Sequence, residues 1–172
     1  MDPEYRKHLL VRRQQLKERL AQEEQKKHCS ELLERLDLDL IAYEIIWALP
    51  STTNPTDWLS NSFPITWWGR VDWQKVPRHI KIYWSNHQDL TNKFFNLALE
   101  LKLGNPRVII SWFNANSLSL KLPLEAVKQN AELIFSLDWD CWIMCLETGW
   151  CIEKYHEGEL YFGYIPNLII PA

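Results

Sequence analysis

A chain of 172 residues with 47% apolar and 24% charged side chains has the makeup of one folded domain plus an appendage, which excludes a disordered chain. A formal net charge of −3 excludes global attraction to nucleic acid or to an anionic membrane. The unusual number is ten tryptophans, a residue that builds cores and also anchors interfaces.

Charged residues follow Met1 to Pro3 at once, and no stretch approaches the roughly 18 apolar residues of a membrane span. A cytoplasmic chain with reduced thiols at Cys29, Cys141, Cys145 and Cys151 is expected. Asp2-Pro3 reads as an N-cap and first helical residue, opening a helix over 3–36 rich in Gln, Glu, Lys, Arg and Leu. Leu9, Leu16 and Leu20, then Cys29, Leu32, Leu33 and Leu36, give it an apolar seam at each end, with a polar middle over 22–28. Each end is expected to pack on the chain's own domain or on a twin chain, so a homodimer through this helix is one possible assembly. Residues 1–37 are taken as this charged amphipathic helix and 38–172 as one α+β domain.

The dense apolar run 38–49 predicts a second helix, or a continuation of the first, stopped by Pro50, and 51–61 (STTNPTDWLSN) a loop of turn formers. Aromatic and β-branched positions surround Gly69 in 65–73, and 79–84 (HIKIYW) alternates as a strand. Leu90, Phe94, Leu97 and Leu101 have helical spacing and end at Gly104, the expected left-handed residue after the helix. A central strand is predicted over 107–113 and a helix over 123–135. Then come a strand over 139–146 and a hairpin of 150–155 with 160–165 around His156-Glu157-Gly158-Glu159. The class is α+β: an antiparallel sheet flanked by helices, preceded by the long N-terminal helix.

With Glu157-Gly158 as the hairpin tip, Cys151, Glu153 and Tyr155 share a face with Leu160, Phe162 and Tyr164. Ile152, Lys154 and His156 share the other with Glu159 and Tyr161. Glu153 is then a carboxylate on a largely apolar face. It is either a satisfied structural group or a fixed acceptor for a partner's arginine or lysine. Between 138 and 164 six acidic residues face the single base Lys154, whereas between 70 and 93 five bases outnumber Asp72 and Asp89. An acidic, aromatic sheet suits a basic protein partner, with Glu153, Tyr155, His156, Glu157, Glu159 and Tyr161 as the binding residues. The alternative is a nucleic-acid-associated protein using Arg70, Lys75, Arg78 and Trp84 in the basic, tryptophan-rich segment 65–93. A small hydrolase comes third.

No metal is expected. Cys141 and Cys145, four apart on one strand, lie about 13 Å apart, too far to share a zinc ion. Cys141, Ile143 and Cys145 share a face with Trp139 and read as core. A Cys151–His156 nucleophile is opposed by the hairpin, which turns the two apart. No phosphate-cradling glycine loop or dinucleotide fingerprint occurs, so no cofactor is expected.

The tryptophan-rich strands of 120–166 and the Trp-Cys-Ile-Glu-x-Tyr-His-Glu-Gly hairpin at 150–158 resemble the C-terminal part of small immunity proteins from bacterial contact-dependent or polymorphic toxin systems. The resemblance spans about a quarter of the chain and does not extend to the long helix. It implies a cytosolic, non-enzymatic inhibitor that occupies a toxin's active site or substrate groove, with no individual residues carried over.

Overall fold

The computed structural model describes residues 3–166. The expected N-cap at Asp2 lies outside them. Helices α1 (Pro3–His28) and α2 (Ser30–Leu38) occupy the predicted long helix, interrupted at Cys29. The C-terminal seam packs as expected, with Cys29, Leu32, Leu33 and Leu36 inside the main core. The N-terminal seam does not pack on its own domain: Leu9, Leu16 and Leu20 are exposed, and Gln25 is the one residue of α1 that is buried. Its side-chain amide mimics a backbone pairing, donating to Ala48 O at 3.0 Å and accepting from Ala48 N at 2.9 Å.

The helix expected over 38–49 is absent. The chain leaves α2 through a Schellman turn, in which Leu40 N donates to Asp37 O and Ile41 N to Leu36 O. Leu40 holds the left-handed position (φ 54°) that glycine normally takes. Strand β1 (Glu44–Ile46) follows. The expected loop 51–61 contains helix α3 (Pro55–Ser62), started by Asn54, whose side chain accepts from Thr56 N, and by proline at the first turn. Residues 65–73 form a tight loop closed by a bridge between Ile65 and Val71, then a single 3₁₀ turn, Trp73–Lys75.

Strand β2 (Ile80–Tyr83), helix α4 (His87–Glu100) and strand β3 (Arg107–Trp112) lie where expected. Gly104 is left-handed as expected (φ 68°), but the residue that closes α4 is Lys102, also left-handed (φ 51°), because Lys102 N and Leu103 N make the second Schellman pair, to Leu99 O and Ala98 O. The single helix expected over 123–135 is replaced by three elements. Pro123 closes strand β4 (Ser119–Pro123), and helices α5 (Leu124–Gln129) and α6 (Ala131–Ser136) break at Asn130, whose side chain bonds back to Ala126 O. Strands β5 (Cys141–Cys145), β6 (Trp150–Tyr155) and β7 (Glu159–Tyr164) complete one antiparallel sheet of order β1-β4-β3-β5-β6-β7-β2.

Both faces of the sheet centre are covered. Even-numbered positions of β3, β6 and β7, such as Ile110, Ile152 and Phe162, together with Ile143 of β5, meet α2, α4, α5 and α6 in the main core. Odd positions of β3, β6 and β7, with Trp142 and Met144 of β5, meet α3 and the 63–76 segment in a second, smaller core. Trp139, expected on the core face, precedes β5 and is 72% exposed.

Candidate functional site

The hairpin between β6 and β7 turns through three residues, His156 to Gly158. Gly158 N donates to Tyr155 O, and Gly158 takes φ 83°. A Cβ there would also sit 2.9 Å from Trp84 O, so only glycine fits. An odd loop pairs residues of like parity: Glu153 opposes Tyr161, and Tyr155 opposes Glu159. The faces drawn from a two-residue tip are therefore corrected. Glu153 shares its face with Glu159 and Tyr161, not with Leu160 and Phe162, and Lys154 lies opposite Leu160.

The 63–79 segment crosses that polar face. Trp73 stacks on Tyr161, centroids 5.3 Å apart and planes 6° apart, a fit that Gly163 permits because a Cβ there would lie 2.8 Å from the indole. Beside it opens a cleft of about 530 Å³ lined by Thr66, Trp68, Arg70, Trp73, His79, Lys81 and Tyr161. Its rim is the turn Thr66–Arg70, closed by Thr66 N donating to Arg70 O at 2.8 Å and Gly69 N to Thr66 O at 3.0 Å. The tip of that turn carries Trp67 and Trp68, packed edge to face at 5.1 Å, 91% and 51% exposed.

Arg70 joins the two sets of residues singled out in the sequence. Its Nε donates to Glu153 Oε1 at 2.9 Å, its guanidinium lies 3.6 Å from the Tyr155 ring centroid, and it reaches Glu159 at 3.9 Å. Glu153 is 1% exposed, and its second oxygen accepts from Val71 N at 3.1 Å and Trp142 Nε1 at 2.9 Å. Burial raises its carboxyl pKa, against the pull of Arg70 and the Trp142 and Val71 N–H groups. Its oxygens thus serve groups of its own chain. Glu159 accepts from Lys81 and from the Tyr161 hydroxyl at 2.7 Å. Burial raises that carboxyl too, but Lys81 and Tyr161 prevail and leave it below its ordinary value. His156 donates its backbone N–H to Asp140 Oδ1 at 2.7 Å and places Nδ1 2.9 Å from the same oxygen, while Glu157 stands exposed at the tip.

Of the alternative set, Arg70 belongs to this cluster and Lys75 pairs with Asp72 at 2.8 Å. Arg78 is exposed in a left-handed conformation, φ 56°. Trp84 lies on the other side of β2, half-buried, its ring 5.9 Å from the Lys154 ammonium. Part of the acidic sheet and part of the basic segment thus compensate one another, Arg70 and Lys81 pairing with Glu153 and Glu159. Trp142 is not among the residues singled out in the sequence, whereas Trp67, Trp68 and Trp73 all lie in the tryptophan-rich segment 65–93 of the alternative reading. The turn formed around Gly69 is the signal that lifts Trp67 and Trp68 out of the core.

All four cysteines are free and buried. Burial pushes the Cys29 and Cys141 thiols up to about 12 and raises Cys151 well above its ordinary value. A mildly alkaline disulfide reagent is therefore expected to titrate no thiol quickly in the native protein and all four after unfolding. Fast native labelling would contradict the burial. Among the described residues no group of three or more His, Cys, Asp or Glu is placed to hold a metal ion, and no helix is long and apolar enough to cross a membrane. The chain matches no protein-family model and no curated protein.

Proposed function

We propose that this chain is a non-enzymatic protein-binding protein of the inhibitor type, acting in the cytoplasm. In this reading the Trp67–Trp68 turn is its anchor and the neighbouring hairpin tip, Tyr155 to Glu157, flanks it. The observation that carries this reading is the tryptophan pair itself. Two adjacent large apolar rings held out on a hydrogen-bonded turn contribute little to the fold, and tryptophan in a preorganised position is the commonest energetic anchor of an interface. Compensated charge around the cleft shifts the recognition element from the acidic strands to these rings. Beyond α1 the chain carries 17 acidic and 11 basic residues, which still favours encounter with a basic partner. The resemblance of the hairpin region to immunity proteins supports the inhibitor class.

The test is capture by the tagged full chain from nuclease-treated lysate of its source cells, run beside Trp67→Ala/Trp68→Ala. A protein retained by the wild type and lost with the variant is expected. Identical capture by both, or recovery of nucleic acid alone when nuclease is omitted, would overturn the reading.

A further inference from the structure

Among the described residues, an apolar stripe on helix α1 has no partner. At about 100° per residue, Tyr5, Leu9, Leu16 and Leu20 fall within an arc of about 60°, and all four are exposed. Arg6, Arg13 and Lys17 border the stripe on one side, Arg12 and Arg19 on the other. Eight of the 19 basic residues but only five of the 22 acidic ones lie in residues 1–28, so this arm carries +3 and the remainder of the chain −6. Stripe-on-stripe pairing of two arms would set those cations against one another. The stripe calls for an apolar surface edged with carboxylates.

The chain presents such a surface at the end of α2. Leu38 is 83% exposed and Leu40 92% exposed, beside Glu34 and Asp39. Leu40 also occupies a left-handed helix-terminal position where leucine is disfavoured by about 1 kcal/mol or more relative to glycine. Among the described residues no burial of the side chain offsets that cost. The arm does not cover this patch within one molecule: Gln25 is clamped to Ala48, only Cys29 separates α1 from α2, and Leu9, Leu16, Leu20, Leu38 and Leu40 are all exposed.

We infer that the basic leucine stripe of α1 docks on the acidic Leu38–Leu40 patch of a second copy of this chain, each arm lying on the other's body. Two reciprocal contacts close the pair. The surface is separate from the tryptophan turn, so its failure leaves that reading untouched.

Sedimentation velocity on the full chain tests the exchange. The wild type is expected to dimerise at low ionic strength and to dissociate as salt rises. Arg12→Glu/Arg13→Glu and Glu34→Lys/Asp39→Lys should each raise the dimer Kd at least tenfold, and the two combined should restore it. Leu40→Gly should weaken the dimer while raising the unfolding temperature of the monomer, an effect opposite to that of a merely structural residue. A wild type monomeric throughout, a dimer indifferent to either charge pair, or no rescue in the combined variant would overturn the inference. So would binding of a monomeric wild type to phosphatidylserine vesicles, which would assign the stripe to a lipid surface.

Discussion

Glu153→Ala is expected to lower the unfolding free energy by about 3–5 kcal/mol. The substitution strands three donors at once: Arg70 Nε, Val71 N and Trp142 Nε1 all converge on the carboxylate. It also leaves the Arg70 guanidinium, which is only 16% exposed, facing the Tyr155 ring with Glu159 no nearer than 3.9 Å. Loss of one partner of a buried ion pair is more damaging than loss of both, because the remaining charge keeps its desolvation penalty. Glu153→Leu combined with Arg70→Met should therefore be markedly less destabilised than the two single variants predict by addition. Urea midpoints for the four proteins form the double-mutant cycle that measures this coupling. Simple additivity would mean that Glu153 and Arg70 act independently, against the geometry.

Lys154→Ala should be comparably damaging, at about 3–5 kcal/mol. The Lys154 ammonium is buried on the helical side of the sheet and donates to the carbonyls of Phe135, Asp138 and Trp139. It thereby closes the C-terminal end of α6, where carbonyls lack partners within the helix, and pins the turn that leads into β5. Truncation removes the donor to all three carbonyls and opens a cavity where the side-chain stem was packed. The protonation of Lys154 supplies a second readout. Burial lowers its pKa below 10.5, so between the lowered value and 10.5 the unfolded chain binds more protons than the folded one. This group therefore makes stability rise with pH across that alkaline window, and Lys154→Ala should remove that slope. An unchanged urea midpoint at neutral pH would place Lys154 outside the packing of α6.

Local chemistry made much of the architecture legible. The strand expected over 79–84 was legible from its alternation and α4 from the spacing of Leu90, Phe94 and Leu97, because those patterns face one core, while the apolar run over 107–113 read as a central strand because β3 is buried on both faces. The failures fall where a local rule was overridden. Leu40 and Lys102 terminate helices in conformations that a sequence reader assigns to glycine. The β4 strand was hidden because Pro123 looks like a helix start and is instead the last residue of an inner strand that borders α5. One residue of loop length decided the hairpin: three residues rather than two moved Glu153 from beside Phe162 to beside Tyr161. Glu153 was conspicuous in the sequence as a misplaced carboxylate. Its explanation was not, since Arg70 is 83 residues away and no periodicity links positions so far apart. The same separation hid the pairing of Arg70 and Lys81 with Glu153 and Glu159, which leaves the Trp67–Trp68 turn as the prominent exposed feature beside the cleft.

The most direct test of the account is the affinity of the captured partner for the wild type and for Trp67→Ala/Trp68→Ala, measured by titration calorimetry with both proteins shown to be folded. If the exposed turn is the anchor, the double variant should lose at least about 2 kcal/mol of binding free energy, mainly through faster dissociation. Glu157→Lys should instead slow association, an effect that salt removes. An affinity unchanged by loss of both indole rings would contradict the account.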